Sequence, residues 1–181
     1  MANLLTSIRL LLILPVAGAM AQRDFLADWL LALFLILAIV TDYYDGIVAR
    51  AQGTASARGQ IFDHSTDFLF VTCGLAGAAY AELVPWVLPV LIVLAFSQYV
   101  LDSHFLYHQK SLRMSLLGRW NGVFYFSPLL LIATARISPE TFGLYPLLIT
   151  LASLLAYGLT ISTLLSIVDR AIAPLRQPSS D

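Results

Sequence analysis

Four aspartates set close together could do chemistry in this chain: Asp42, Asp45, Asp63 and Asp67. They stand in the run Asp42-x2-Asp45-Gly46-x2-Ala49-Arg50-x8-Gly59-x3-Asp63-x3-Asp67. Spacings of i,i+3 and i,i+4 put both carboxylates of each pair on one helical face. Two helices joined by a short glycine-containing turn can bring the pairs to one site. Carboxylates that close repel one another and resist ionising together. One divalent cation, or two, removes that obstacle. An all-oxygen donor set points to hard ions such as Mg²⁺, Mn²⁺ or Ca²⁺. The plain alternative is a salt-bridged loop, but Arg50 and Arg58 could partner only some of the four acids.

The elements that must position these acids are apolar. Of 181 residues, 59% are hydrophobic and 12% charged, with a mean hydropathy of +0.82. That balance excludes a soluble domain with a polar surface, and spanning helices need about 20 mostly apolar residues. The fold class read from the sequence is an all-α integral membrane protein, six transmembrane helices in one compact bundle. The spans run over residues 4–21, 25–44, 61–81, 84–106, 122–135 and 142–168. Pro128 predicts a kink in the fifth. Short connectors make residues 1–173 one domain, and residues 174–181 read as a flexible cytoplasmic tail. Arg9, the run Leu10–Val16 and Ala19-Met20-Ala21 imitate a secretory leader, but are read as the first span. A net charge of −1 without a basic run gives no sign of nucleic acid, and the single Cys73 excludes an internal disulfide.

With both termini inside, the inner ends of the spans collect Arg9, Arg50, Arg58, Lys110, Arg113, Arg119, Arg170 and Arg176. The outer ends keep Arg23 and Arg136. The positive-inside rule then puts the aspartates on the cytoplasmic face. One helix from Phe25 to Arg50 would be ~39 Å long against a ~30 Å hydrocarbon core, so the carboxylates should sit near the inner interface. The small residues Gly74, Gly77 and Ala78 suit close packing of the third span. Lys110, Arg113 and Arg119 follow the fourth span and could bind a phosphorylated acceptor, or simply obey the charge rule. His104 and His108, at i,i+4, read more readily as interfacial histidines than as a metal pair, and Asp102 needs a partner such as Arg113 or a histidine.

At every fixed position from Asp42 to Asp67 the segment resembles the signature of the CDP-alcohol phosphatidyltransferase family. Its six-span layout is similar too. The resemblance implies transfer of a phosphatidyl or similar group from a CDP-linked donor to an alcohol, with release of CMP. It implies that Asp42, Asp45, Asp63 and Asp67 hold Mg²⁺ or Mn²⁺, two ions, against the donor pyrophosphate. Asp67 is the catalytic base it implies for the acceptor hydroxyl. Gly46, Ala49, Arg50 and Gly59 fall to the nucleotide and pyrophosphate. Arg50 suits a charge-assisted phosphate contact, and Gly46 lets a nucleotide approach the backbone. Asn3-Leu4-Leu5-Thr6-x2-Arg9 resembles the start of the phosphatidylglycerophosphate synthases, so Asn3, Thr6 and Arg9, on one helical face, could line the nucleotide end, or serve only as an N-cap and a positive-inside anchor.

The partners implied are CDP-diacylglycerol, an alcohol acceptor, the lipid bilayer and a second copy in a homodimer. Thr41-Asp42-Tyr43-Tyr44-Asp45-Gly46 favours glycerol 3-phosphate as acceptor, in phospholipid biosynthesis. Three departures weigh against it. His64 replaces the proline those synthases usually carry after the third aspartate, and Phe68 replaces the lysine after the fourth. The fourth span also lacks their Arg-Glu pair. Inositol phosphate, inositol or phosphatidylglycerol therefore remain alternative acceptors. A divalent-cation transporter and a non-catalytic nucleotide-binding membrane module are the rivals from other classes.

Overall fold

The computed structural model describes residues 2–51, 57–101 and 116–172. Among these the chain is helical, with no strand: α1 (Ala2–Ala21), α2 (Asp28–Ala51), α3 (Ala57–Tyr80), α4 (Val87–Leu101), α5 (Leu116–Phe124), α6 (Phe126–Ile137) and α7 (Leu144–Ile172). Each of the six expected apolar segments has its helix. The fifth is divided between α5 and α6 at Tyr125. Pro128 lacks an N–H for the Phe124 carbonyl and its ring crowds that carbonyl, so α5 ends there.

Some boundaries differ from the expected ones. Arg23–Phe25 forms a separate 3-10 turn, and α2 starts at Asp28, whose carboxylate suits a helix N-terminus. Gly143, at φ 58°, separates a second 3-10 turn, Glu140–Phe142, from α7. The expectations for Asp102, His104, His108, Lys110, Arg113 and the tail at 174–181 lie outside the described residues.

Among the described residues, α7 alone is long and apolar enough to cross a membrane by length and composition. Residues Leu5–Ala21 and Val87–Leu101 form shorter apolar helices. Large apolar side chains point outward as well as inward: Leu14 is 78% exposed and Ile161 63%.

Helix α1 packs chiefly on α3 and α2, while α7 packs on α6 and α4. The core joining these groups includes Val16, Met20, Leu35, Phe70, Leu75, Leu129 and Ile132, all buried. Two glycines let α3 approach its neighbours. A Cβ on Gly77 would collide with the Ala17 carbonyl oxygen of α1, and one on Gly74 would lie 3.0 Å from Leu129 Cδ1 of α6. At the far end of α1, buried Arg136 donates from Nη1 to the Ala19 carbonyl at 2.5 Å and from Nη2 to that of Met20 at 3.2 Å. These are terminal carbonyls that no later turn of α1 can satisfy, and a cation suits that end of the helix dipole.

The close α1–α3 contact makes a measurable demand. Gly77→Ala should lower stability by about 1–3 kcal/mol, because backbone must move to admit the methyl group. Gly158→Ala on α7, whose added Cβ would meet nothing within 4 Å, should leave stability unchanged or slightly raised. Thermal unfolding of the two variants in detergent separates these outcomes, and equal midpoints would remove the contact as a constraint.

Candidate functional site

Three helices deliver the polar cluster. Helix α2 presents Asp42 and Asp45, α3 presents Asp63 and Asp67, and α1 presents Thr6 and Arg9. Arg9 lies at the centre and is completely buried. Its Nη1 donates to Asp42 Oδ1 at 2.8 Å, and its Nη2 to Asp45 Oδ2 at 2.6 Å and Asp63 Oδ1 at 3.0 Å. Asp67 Oδ1 pairs with Arg9 Nη1 as well. Thr6 Oγ1 donates to Asp45 Oδ2 at 3.1 Å. Thr41 and Thr66, flanking the acids, turn their hydroxyls back to carbonyls of their own helices. They therefore leave the carboxylates free for other partners.

The four aspartates thus converge, and one guanidinium binds them all. Counting only the described side chains, the ionised cluster is formally three charges short of neutrality. Charges taken out of water need compensation, and Arg9 supplies only part of it. Oxygens of Asp42, Asp45 and Asp63 lie within 4.8 Å of one another. So do the ligating atoms of Asp63, His64 and Asp67. The donor set and its uncompensated charge fit divalent cations.

Exposure grades across the cluster. The Asp45 side chain is 4% exposed and that of Asp42 47%. Asp42 and Asp67 face a cavity of about 750 Å³ that extends from the acids between α4, α5 and α7. Its walls include His64, Gln98, Tyr99, Arg119, Asn121 and Arg170. The Arg170 guanidinium stands over the Tyr99 ring, 5.1 Å from its centroid. Gln98 Nε2 donates to the Ile167 carbonyl at 3.3 Å, and Ser162 donates to Asn121 Oδ1 at 2.6 Å. These bonds join α4 and α5 to α7 around the cavity.

The residues singled out from the sequence divide as follows. Thr6 joins the aspartate cluster directly. Gly46, Ala49 and Arg50 lie on the final turns of α2, Asn3 on the first turn of α1, and half-buried Gly59 on the first turn of α3. Arg119 is exposed and borders the cavity. The sequence reading put Arg9 on one face with Asn3 and Thr6 toward the nucleotide end, but did not pair it with the aspartates. It looked to Arg50 and Arg58, nearby in the chain, whereas Arg9 arrives from another helix. The i,i+3 pairing of Thr6 with Arg9 was the available signal. Arg170 was counted only toward orientation, although that count already placed it at the same end as the acids. Phe68 stacks on Phe96 of α4 with centroids 4.0 Å apart, so this departure from the synthase pattern builds an apolar wall.

Arg9→Met would remove the one cation that the described residues place among the carboxylates, while keeping most of the side-chain volume. Breaking a buried ion pair from one side costs about 3–5 kcal/mol. The metal-free variant should therefore melt well below the unaltered protein. Saturating Mn²⁺ should raise its melting temperature more than it raises that of the unaltered protein, because the ion replaces the missing charge. Equal metal-induced shifts would show that the carboxylates do not share a cation site with Arg9.

A family model described as CDP-alcohol phosphatidyltransferase matches residues 1–165. A CDP-diacylglycerol–glycerol-3-phosphate 3-phosphatidyltransferase of Rickettsia felis is 32% identical over 93 residues, 51% of this chain and 51% of the relative. A protein of the same name from Cereibacter sphaeroides is 34% identical over 124 residues, 65% of this chain and 56% of the relative. A third, from Rickettsia typhi, is 35% identical over 71 residues, 39% of this chain and 40% of the relative. The chain spans about half the length of the curated relatives it matches first. With the family model covering nearly the whole chain, this protein belongs to the CDP-alcohol phosphatidyltransferase family.

Proposed function

We propose that this protein is a membrane phosphatidyltransferase that moves a phosphatidyl group from CDP-diacylglycerol to glycerol 3-phosphate and releases CMP. The observation that carries this reading is the convergence of four carboxylates beside a cavity bordered by Arg119 and Arg170. The acceptor is chosen on the activity for which the relatives are named and on those two arginines. The outward-facing apolar side chains and the apolar helices α1, α4 and α7 support a place in the bilayer. The positive-inside bias supports a cytoplasmic site and cytoplasmic termini. Residues 1–173 would act as one catalytic domain, paired in a homodimer by likeness to the family.

Asp42, Asp45, Asp63 and Asp67 would hold Mg²⁺ or Mn²⁺. Bound there, the ions would supply charge neutralisation for the donor diphosphate and its departing CMP. The remaining roles fall to side chains. Arg50, Gly46, Ala49, Gly59, Asn3 and Thr6 would receive the nucleotide and pyrophosphate. Arg119 and Arg170, on different helices of one cavity, would grip the acceptor phosphate, a task suited to guanidinium forks. Lys110 and Arg113 would add to that charge. Asp67 lines the same cavity, so its carboxylate can take the proton of the acceptor hydroxyl. The hydroxyl oxygen then attacks the phosphorus that bears the diacylglycerol, and the bond to CMP breaks. Fixing both substrates in one cavity supplies proximity.

The test is CMP release and product mass with purified full-length protein, CDP-diacylglycerol and Mg²⁺ or Mn²⁺. The acceptors offered are glycerol 3-phosphate, inositol phosphate, inositol, serine and phosphatidylglycerol. Asp67→Asn should lower kcat by about 10²–10⁴-fold. Arg119→Ala or Arg170→Ala should raise KM for glycerol 3-phosphate by about 10–100-fold with a smaller change in kcat, as expected for a lost charged hydrogen bond. Indistinguishable rates for the unaltered protein and Asp67→Asn would sink the catalytic assignment. A product formed only from an uncharged alcohol would sink the acceptor.

A further inference from the structure

We propose that His64 is a metal ligand, so that the site has two unlike cation positions: one built of oxygen alone, the other of nitrogen and oxygen. This rests on the metal-dependent reading above and deepens it. One donor set is Asp42, Asp45 and Asp63, and the other is Asp63, His64 and Asp67. Within each set the ligating atoms lie within 4.8 Å of one another. Donors bound at ~2.0–2.2 Å to one ion stand at most ~4.4 Å apart, so each set needs at most a small contraction to close. Asp63 belongs to both sets. A shared carboxylate makes the positions adjacent, as in sites that clamp a phosphoryl group between two ions.

The two sets differ in chemistry and in access. Asp45, nearly fully buried, belongs to the first, and Thr6 and Arg9 hold its carboxylate. His64 and Asp67 of the second line the cavity. They stand at i,i+3 on α3, with Asp63 immediately before His64, so a single helical turn supplies all three donors. Hard Mg²⁺ is confined to oxygen donors, whereas Mn²⁺ takes oxygen and also accepts an imidazole nitrogen, and Fe²⁺, Ni²⁺ and Zn²⁺ favour one. The oxygen set therefore accepts Mg²⁺ or Mn²⁺ with little discrimination, and the His64 set selects Mn²⁺ and the ions beyond it. A proline at this position would offer no donor, so the substitution of His64 for proline adds a ligand.

The test uses full-length protein in detergent, loaded with Mn²⁺ and no nucleotide, and read by pulsed electron paramagnetic resonance. The unaltered protein should show ¹⁴N modulation from a directly bound imidazole, replaced by the ¹⁵N pattern when its histidines are ¹⁵N-labelled. His64→Gln should keep Mn²⁺ in the oxygen set and lose the nitrogen coupling. Its Mn²⁺ affinity at the second position should fall by about tenfold or more. Mg²⁺ affinity should change by less than about twofold, because oxygen still meets oxygen. Bound Mn²⁺ without nitrogen coupling, or coupling that survives in His64→Gln, overturns the assignment of His64 and leaves the aspartate site standing. No Mn²⁺ binding in the unaltered protein, or binding undiminished in Asp63→Asn, overturns the metal reading itself. The labelling arm uses unaltered protein, so the inference stays testable if His64→Gln does not fold.

Discussion

The interaction on which the site depends is the set of bonds from one buried guanidinium to four carboxylates. Like charges gathered in a half-buried space repel, and each has lost part of its hydration. Arg9 offsets this only in part, since among the described residues a single positive charge faces four negative ones. The imbalance is a property of the folded state, because in an extended chain the acids of α2 and α3 would separate and hydrate. Folding therefore concentrates negative charge against its own electrostatic cost. Such a cluster suits a ligand that arrives with positive charge, or a pair of ligands, cation and diphosphate, that arrive nearly balanced.

That geometry sets requirements far from the acids. Arg9 reaches all four only because α1 lies close on α3, and the contact at Gly77 permits the approach. The opposite end of α1 is tied by Arg136 to its last carbonyls. One arginine thus holds the helix at its carboxyl end, while another carries the charge near its amino end. The apolar core between them sets the distance over which the two act. Small residues at the α1–α3 seam and a cation at each end of α1 are parts of one arrangement.

Much of this was legible in the chain, for identifiable reasons. Helical spacing placed Asp42 with Asp45 and Asp63 with Asp67, and long apolar runs announced the helices that carry them. Pro128 announced a kink in the fifth span, whereas the helix divides outright at Tyr125. Arg9 was harder to find. The pairing joins residues 33 to 58 positions apart, and helical periodicity carries no information about which face of α1 meets which face of α3. Arg170 was hidden for the same reason, since its neighbour Tyr99 belongs to a different helix. His64 and Phe68 stood out only as departures from a pattern. Their surroundings give those departures opposite meanings: Phe68 seals the α3–α4 wall against Phe96, while His64 lies on the cavity beside two acids.

The cavity has two kinds of wall. Carboxylates and arginines line one part of it, and Ile39, Val71, Ile92 and Phe96 line another. A substrate with a charged head and apolar chains meets both requirements in one molecule, whereas a small ion alone would have no use for the apolar wall. That weighs against simple cation transport. Burial of the apolar part yields about 25 cal/mol per Å², a gain that holds the head against the acids without strengthening any bond to it. Binding energy from the remote part of such a substrate can then be spent on placing the reacting phosphorus between the carboxylates of α2 and α3 and the guanidinium groups across the cavity. The acids alone could bind metal. Only with the arginine-bearing and apolar walls around them do they meet the demands of the transfer proposed above, in which one phosphate is attacked while another is held.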